Sequence, residues 1–318
     1  MFKNTLLAVS ASLLLCFLPC CKKKENNTPA PGFTADSLFN ELSLKPKVLT
    51  VDAATGGTFY GNSGTRYYFY PNSFMLASGA AVTGAINIEV TEYLLNGDML
   101  FSKMLPVSNN EPLISGGEIN VVATQNGAPV FLKPGSIFSA AIPPTGNTPA
   151  GMKLFTGQAT ADTSVIKTNW IQAQRDSAQN MANVFQIPGA IIGRDTMQII
   201  SDSLKLCNAD QFLTLPNYQS FTIAVTVSGH TLATEAVYGY ALYDLYKGVW
   251  PLYHYSTSDK KFTEGHIPSI PVHFVAFTVI DGKFYGGILA GTPLTGATYN
   301  IELTQWDPET YKTMLNKL

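Results

Sequence analysis

Apolar and polar residues alternate along much of this chain, which is the pattern expected of β-strands that bury one face. The clearest example places Ile86, Ile88 and Val90 on one side of a segment, with Asn87 and Glu89 between them. Comparable segments recur between turns rich in glycine, proline and asparagine. The Asn-Gly pair at 126–127 and the Asp-Gly pair at 281–282 are typical of tight hairpins. The pattern predicts an all-β fold with two β-sandwiches in tandem.

Helical patterning is short by comparison. One helical turn is expected within residues 33–44. Asp307 followed by Pro308 is typical of an N-cap and a first helical position, which predicts a short C-terminal helix. Met314 and Leu315 are expected to face inward from it.

The stretch 159–193 carries the weakest pattern. Trp170–Val184 has residues that favour a helix but no regular 3.6-residue period, so it is interpreted as a connector with at most one helix. Val184–Ile187 is interpreted as the beginning of a strand. The predicted organisation is a signal peptide at 1–21, a flexible tether at 22–46, an N-terminal sandwich at 47–170, and a connector plus C-terminal sandwich at 171–318.

The first 24 residues carry an export pattern. Lys3 precedes the apolar run Thr5–Leu18, which is too short for a permanent membrane span. After Pro19, two cysteines and three lysines follow. This order resembles the lipobox of bacterial lipoproteins, in which a cysteine is acylated, for example with palmitate, and becomes the first mature residue. Cys21 fits best because Leu18 stands three positions before it, and Cys20 is the fallback. The alternatives are an ordinary signal peptide and a retained transmembrane helix.

Charge and cysteine usage narrow the class of protein. The formal net charge is −2 and charged residues make up 13% of the chain, about half the usual share, so no nucleic-acid partner is predicted. If Cys21 carries lipid, Cys207 has no intramolecular disulfide partner. Cys207 is therefore interpreted as a buried small side chain, with a nucleophile as the alternative.

Short motifs in a fixed order give a family resemblance over residues 48–170. They are Gly56-Gly57, Gly64-Thr65, Pro71-Asn72-Ser73-Phe74, Val82-Thr83-Gly84, Asp98-Met99-Leu100, Ser115-Gly116-Gly117-Glu118 and Met152-Lys153-Leu154-Phe155. This series resembles a module of uncharacterised lipoproteins from Bacteroidota-type bacteria, and more distantly the β-sandwich of ankyrins and netrin receptors. The resemblance implies a fold and transfers no catalytic residue.

The second half is similar to the C-terminal module of the same lipoproteins. There an Asn-x-Asp-x-Phe step, here Asn208-Ala209-Asp210-Gln211-Phe212, precedes an immunoglobulin- or transthyretin-like sandwich. The tryptophan that often stands upstream of that step is replaced here by Leu204–Leu206.

Aromatic residues are concentrated between 238 and 255. Tyrosine and tryptophan have an apolar face and a polar edge, so a row of them can hold sugar rings or a protein partner. The same residues also stabilise sheets without binding anything. Tyr246, Trp250 and Tyr253 are the candidate ligand-binding residues, and Tyr246 and Trp250 are expected on an exposed loop.

Other candidate chemistry is sparse. The histidines, which are His230, His254, His266 and His273, have no metal-ligand spacing, and no nucleophile-elbow or phosphate-loop motif is present. Glu89, Glu92 and Glu118 are expected to point outward from a solvated sheet face. No cofactor, metal site or catalytic residue is predicted.

These patterns together predict a lipid-anchored, non-catalytic binding or structural protein of the bacterial cell envelope, at the outer membrane. The periplasmic and surface faces remain alternatives. A second hypothesis is a glycan-binding accessory lipoprotein that needs Trp250 and Tyr246. A third is a hydrolase, which requires a concave pocket with clustered carboxylates or a Ser/His pair.

Overall fold

A computed structural model describes residues 33–144, 146, 149–173, 183–191, 194–215, 217–232 and 236–318, with the backbone alone for 183–191 and 194–196. The predicted signal peptide, Cys20, Cys21, tether residues 22–32 and connector residues 174–182 lie outside this range.

Strands dominate the described part of the chain, which confirms the predicted all-β class. The first half contains α1 (Ala35–Leu42), β1 (Lys47–Asp52), β2 (Gly57–Tyr60), β3 (Arg66–Phe69), β4 (Phe74–Leu76), β5 (Ala85–Tyr93), α2 (Asn96–Ser102), β6 (Val107–Ser108), β7 (Glu111–Gln125), β8 (Ala128–Leu132), β9 (Phe138–Ile142), β10 (Lys153–Ala159) and β11 (Thr168–Gln172). The second half contains β12 (Asn183–Ile191), β13 (Arg194–Ser201), β14 (Leu206–Phe212), β15 (Tyr218–Val227), β16 (Tyr238–Tyr243), β17 (Val249–Pro251), β18 (Tyr255–Ser256), β19 (Lys261–Pro268), β20 (Val272–Ile280), β21 (Lys283–Gly291), β22 (Thr298–Gln305) and α3 (Pro308–Leu315).

The described strands form three sheets. The first has nine strands with the main order β1-β5-β7-β14-β10-β11, and β4, β6 and β8 attach beside this path. The second has the order β12-β13-β9-β3-β2. These two sheets face each other where Ile142 of β9 lies against Gly117 of β7. Gly117 has a φ of +135°, which residues with a side chain rarely adopt. The third sheet has the order β17-β16-β20-β21-β22-β15-β19-β18.

The third sheet folds over on itself. Strand β22 joins its two halves, pairing parallel with β15 and antiparallel with β21. The halves meet where Gly239 of β16 packs so closely on the Phe262 ring of β19 that an added methyl group would overlap it. This arrangement buries the alternating apolar positions of β15, including Phe221, Ile223 and Val225. The result is a second sandwich-like layer pair, built from residues after 217.

The first two sheets do not end at residue 170, the predicted end of the N-terminal sandwich. Strand β11 pairs with β10, β13 pairs with β9, and β14 fills the space between β7 and β10. The predicted connector therefore contributes strands to the first two sheets. Trp170 lies in strand β11, fully buried, with its Nε1–H donating to the carbonyl of Leu105, so no helix begins there. The strand expected at Val184–Ile187 is present as part of β12.

Three short helices complete the fold of the described residues. Thr34 caps α1, and the Asp307 carboxylate caps α3 by accepting the Thr310 amide at 2.8 Å. Leu315 is buried as expected, whereas Met314 is 38% exposed because it lies on the outer side of α3. Lys312 of α3 holds the helices together.

Lys312 makes two contacts from one ammonium group. Its Nζ donates to the Leu42 carbonyl of α1 at 2.8 Å and lies 2.9 Å from the Asp98 carboxylate of α2. Helix α2, which the sequence pattern did not predict, is buried along its whole length.

Candidate functional site

The aromatic segment 238–255 is mostly interior. Tyr240, Tyr243 and Trp250 are each at most 1% exposed, so the prediction that Trp250 lies on an exposed loop is wrong. It lies instead on β17, opposite Ala241 of β16, with its ring against Tyr253 and His266. Tyr246 is half-buried against the core, and Tyr253 is 37% exposed with its ring edge-on to Trp250 at 5.8 Å.

Glu264 organises the polar side of this cluster. Its buried carboxylate accepts Trp250 Nε1–H at 3.3 Å, and the backbone amides of Gly265 and His266 at 2.7 and 2.8 Å. The imidazole Nδ1 of His266 lies 3.2 Å from the same carboxylate. The carboxylate therefore fixes the orientation of a histidine that is itself 59% exposed at its side chain.

His266 borders a cleft where the first and third sheets meet. The cleft has a volume of about 290 Å³ and is lined by Asn110, Glu111, Pro112, Phe212, Leu213, Thr214, Tyr218 and His266. The Tyr218 hydroxyl donates to the Leu213 carbonyl at 3.3 Å, which ties β15 to the end of β14. An imidazole, a phenol, a carboxylate and a carboxamide thus share one small concave surface beside Tyr253 and Trp250.

A second polar cluster lies inside the first sheet. Glu118 of β7 and Asp210 of β14 are both completely buried, whereas Glu89 is exposed as expected. Burial raises the pKa of both buried carboxyl groups, and the Asp210 charge raises the pKa of Glu118 further, while the neighbouring Asn208 side chain acts in the opposite direction. The expectation that Glu118 points to solvent is wrong, because its side chain is completely buried beside Asn208 of β14 and Tyr93 of β5.

Glu92 is also buried rather than outward-facing. Its two carboxylate oxygens accept the backbone amides of Ser63 and Thr65 at 2.7 and 3.0 Å. The carboxylate occupies the space beside Gly61 that a side chain at that position would need. Glu92 therefore fixes the β2–β3 turn, a structural role.

Lys247 places a cation in the interior. Its ammonium group donates to the Leu94 carbonyl, and burial lowers its pKa to about 7, with Asp98 acting in the opposite direction. Cys207 on β14 is completely buried, as the sequence predicted, and burial raises the pKa of its thiol to about 11, so it is not an activated nucleophile in this state.

Two other histidines, His230 and His273, each lie close to one polar side chain. His230 Nε2 lies 2.8 Å from the Tyr285 hydroxyl, and His273 Nδ1 lies 2.7 Å from the Asp244 carboxylate. Within the described ranges, no three His, Cys, Asp or Glu side chains are grouped so as to hold a metal ion. In the same residues, no helix is both long and apolar enough to cross a bilayer.

Comparisons with known proteins give a weak structural likeness and no family. No protein-family model and no curated protein matches the chain. Among solved structures, the Bacillus anthracis TIE protein is similar at 12% sequence identity, with a TM-score of 0.20, over 57% of this chain and 38% of that one.

Proposed function

We propose that this chain is a lipid-anchored protein of the bacterial cell envelope, and that its body is a non-catalytic binding or structural module. The non-catalytic role is supported by the burial of the chain's reactive and aromatic side chains. Trp250, Glu118, Asp210 and Cys207 are all buried in the core, away from the outer surface. A body of this kind offers its outer surface and its one described seam cleft for recognition.

The anchor rests on the sequence pattern around Cys21, outside the described residues. We expect Cys21→Ser to abolish acylation, so that the chain moves from the detergent phase to the aqueous phase in a phase-partition assay. Metabolic labelling with an alkynyl palmitate should follow the same change. Cys20→Ser is the matched control and should keep the lipid. An unmodified N-terminus in the mass spectrum of the wild-type protein would refute the anchor, and protease treatment of intact cells would distinguish the surface from the periplasmic face.

A glycan-binding role is the second candidate, and the seam cleft favours it. The cleft combines the 48% exposed Tyr218 ring with hydrogen-bonding groups from Glu111, Asn110 and His266, which suits a single sugar unit. The candidate sugar-contacting rings are therefore those of Tyr218 and Tyr253, because Trp250, although close to the cleft, is buried.

The glycan hypothesis has a direct test. We expect the wild-type chain to be retained on at least one polysaccharide of a broad panel, and Tyr218→Ala to reduce that affinity by roughly two- to twelvefold, because one ring contact is worth roughly 0.5–1.5 kcal/mol. Tyr60→Ala, which removes a similarly exposed tyrosine from β2, should leave retention unchanged. No retention of the wild-type protein on any glycan would argue against this role without affecting the anchor.

A further inference from the structure

The buried carboxyl groups lie on neighbouring strands at the centre of the first sheet. Glu118 stands opposite Asn208, and Asp210 stands opposite Ser115, with an irregular register between 208 and 210. The Asn208 amide donates to Asp210 Oδ2 at 2.5 Å, and its carbonyl accepts the Ser115 hydroxyl at 3.1 Å. Both oxygens of Glu118 and Oδ1 of Asp210 accept no hydrogen bond from the described residues. Three carboxyl oxygens are therefore buried without compensation.

Positive charge from the described residues does not neutralise the two groups. Tyr93 lies directly across from Glu118 on β5, and its side chain is a phenol. Burial raises the pKa of Tyr93 to about 12; a hydrogen bond with Thr91 lowers this pKa, and the Glu118 charge raises it. Lys153, across from Asp210 on β10, has an exposed side chain, and no ion pair in the described part of the chain includes Asp210 or Glu118. The Lys247 ammonium is bound to the Leu94 carbonyl instead.

Either protons or a metal cation can neutralise a buried carboxyl pair, and the oxygen count decides between them. Calcium takes six to eight oxygen ligands and magnesium six. Here three oxygens are free, and Ser115 and Asn208 already bond to each other. Two unprotonated carboxylates in this position would strongly destabilise the folded state. Protonation removes most of that destabilisation and turns one carboxyl group into a hydrogen-bond donor.

We propose that Glu118 and Asp210 form a proton-dependent latch between β7 and β14. The latch is closed while the two carboxyl groups hold at least one proton between them, and β14 separates locally from β7 when that proton is lost to solvent. The sign follows from linkage: a carboxyl group that binds its proton more tightly in the folded state stabilises that state at low pH. This stabilisation decreases as the pH rises from the unfolded value through the raised folded pKa.

Cys207 provides a local reporter of the latch. It lies on β14, next to Asn208, and is completely buried, so an alkylating reagent reaches it only after β14 opens. We expect the rate of Cys207 alkylation in the full chain, followed by mass spectrometry of its peptide, to rise faster with pH in the wild type than in Glu118→Gln. The ratio of the two rates should increase by up to about tenfold per pH unit as the pH rises above the ordinary carboxyl range, since both thiols ionise alike once exposed.

Controls separate the latch from general effects. Glu89→Gln, an exposed change on β5, should follow the wild type at every pH. Asp210→Asn should behave as Glu118→Gln does and replaces it if circular dichroism shows that the first variant is unfolded. A rate ratio that stays constant with pH overturns the latch. Protection of Cys207 by calcium or magnesium, lost in Glu118→Gln, also overturns it and assigns the pair to a cation.

Discussion

Replacing Trp250 with alanine is expected to lower the free energy of unfolding by about 3–5 kcal/mol, the range found for a large aromatic side chain removed from a core. The indole is 1% exposed and packs against Tyr253 and His266, so its removal leaves a cavity. Its Nε1–H also satisfies Glu264, whose carboxylate would lose one donor of the four groups around it. The urea midpoint should fall with little change in slope.

Tyr253→Ala is the matched control for this prediction. Tyr253 belongs to the same aromatic pair but is 37% exposed, so its removal should cost less than about 1.5 kcal/mol. If the two variants lose the same stability, the buried position of Trp250 is wrong. Any loss of glycan retention in Trp250→Ala must be compared with its folded fraction, because unfolding alone would remove binding at the cleft beside it.

In this chain the sequence pattern predicted the strands better than it predicted which side chains are buried, as Trp250 illustrates. Alternation correctly predicted strands such as β5 and β15, because the period of two depends on local geometry alone. It assigned inward and outward faces by assuming one solvated face. That assumption fails for Glu118, which is completely buried beside Asn208 and Asp210 of β14, a strand far along the chain. Packing between such distant segments leaves no periodic signal.

The hairpins and the sheet order show the same contrast. Asn126-Gly127 and Asp281-Gly282 both adopt positive φ and join β7 to β8 and β20 to β21, as their turn chemistry requires. The insertion of β14 between β7 and β10 is a non-local pairing that no turn motif specifies. The Asn-x-Asp step at 208–210 is one of the motifs that carry the family resemblance. Its two polar residues point to the same side of one strand, and Asn208 stands opposite Glu118, so this spacing is the sequence signal for the buried cluster.

Replacing Lys247 with methionine is expected to change how stability depends on pH. The lysine binds protons less tightly in the folded state, where its pKa is about 7, than in the unfolded chain, where it is near 10.5. The unfolded state therefore binds more protons between these values, and the wild-type protein gains stability as the pH rises across this window. Below about pH 7 the full penalty applies. Methionine has no charge, so this contribution to the slope disappears.

The measured quantity is the difference in unfolding free energy between Lys247→Met and the wild type. Relative to wild type, the variant should lose about 1.4 kcal/mol of stability per pH unit across most of the window. Loss of the bond to the Leu94 carbonyl shifts the whole curve by about 1–3 kcal/mol without changing its slope. Lys283→Met, an exposed lysine at the β20–β21 turn, should keep the wild-type profile.

The slope also separates Lys247 from the carboxyl pair, because the two act in opposite directions. Loss of a proton from Lys247 stabilises the folded state, whereas loss of the shared proton from Glu118 and Asp210 destabilises it. Wherever the two titrations overlap, their contributions to the slope of the wild-type curve oppose each other. Lys247→Met should then reveal a fall in stability with rising pH, and Glu118→Gln a rise. If both variants keep the wild-type slope, neither buried group is linked to folding.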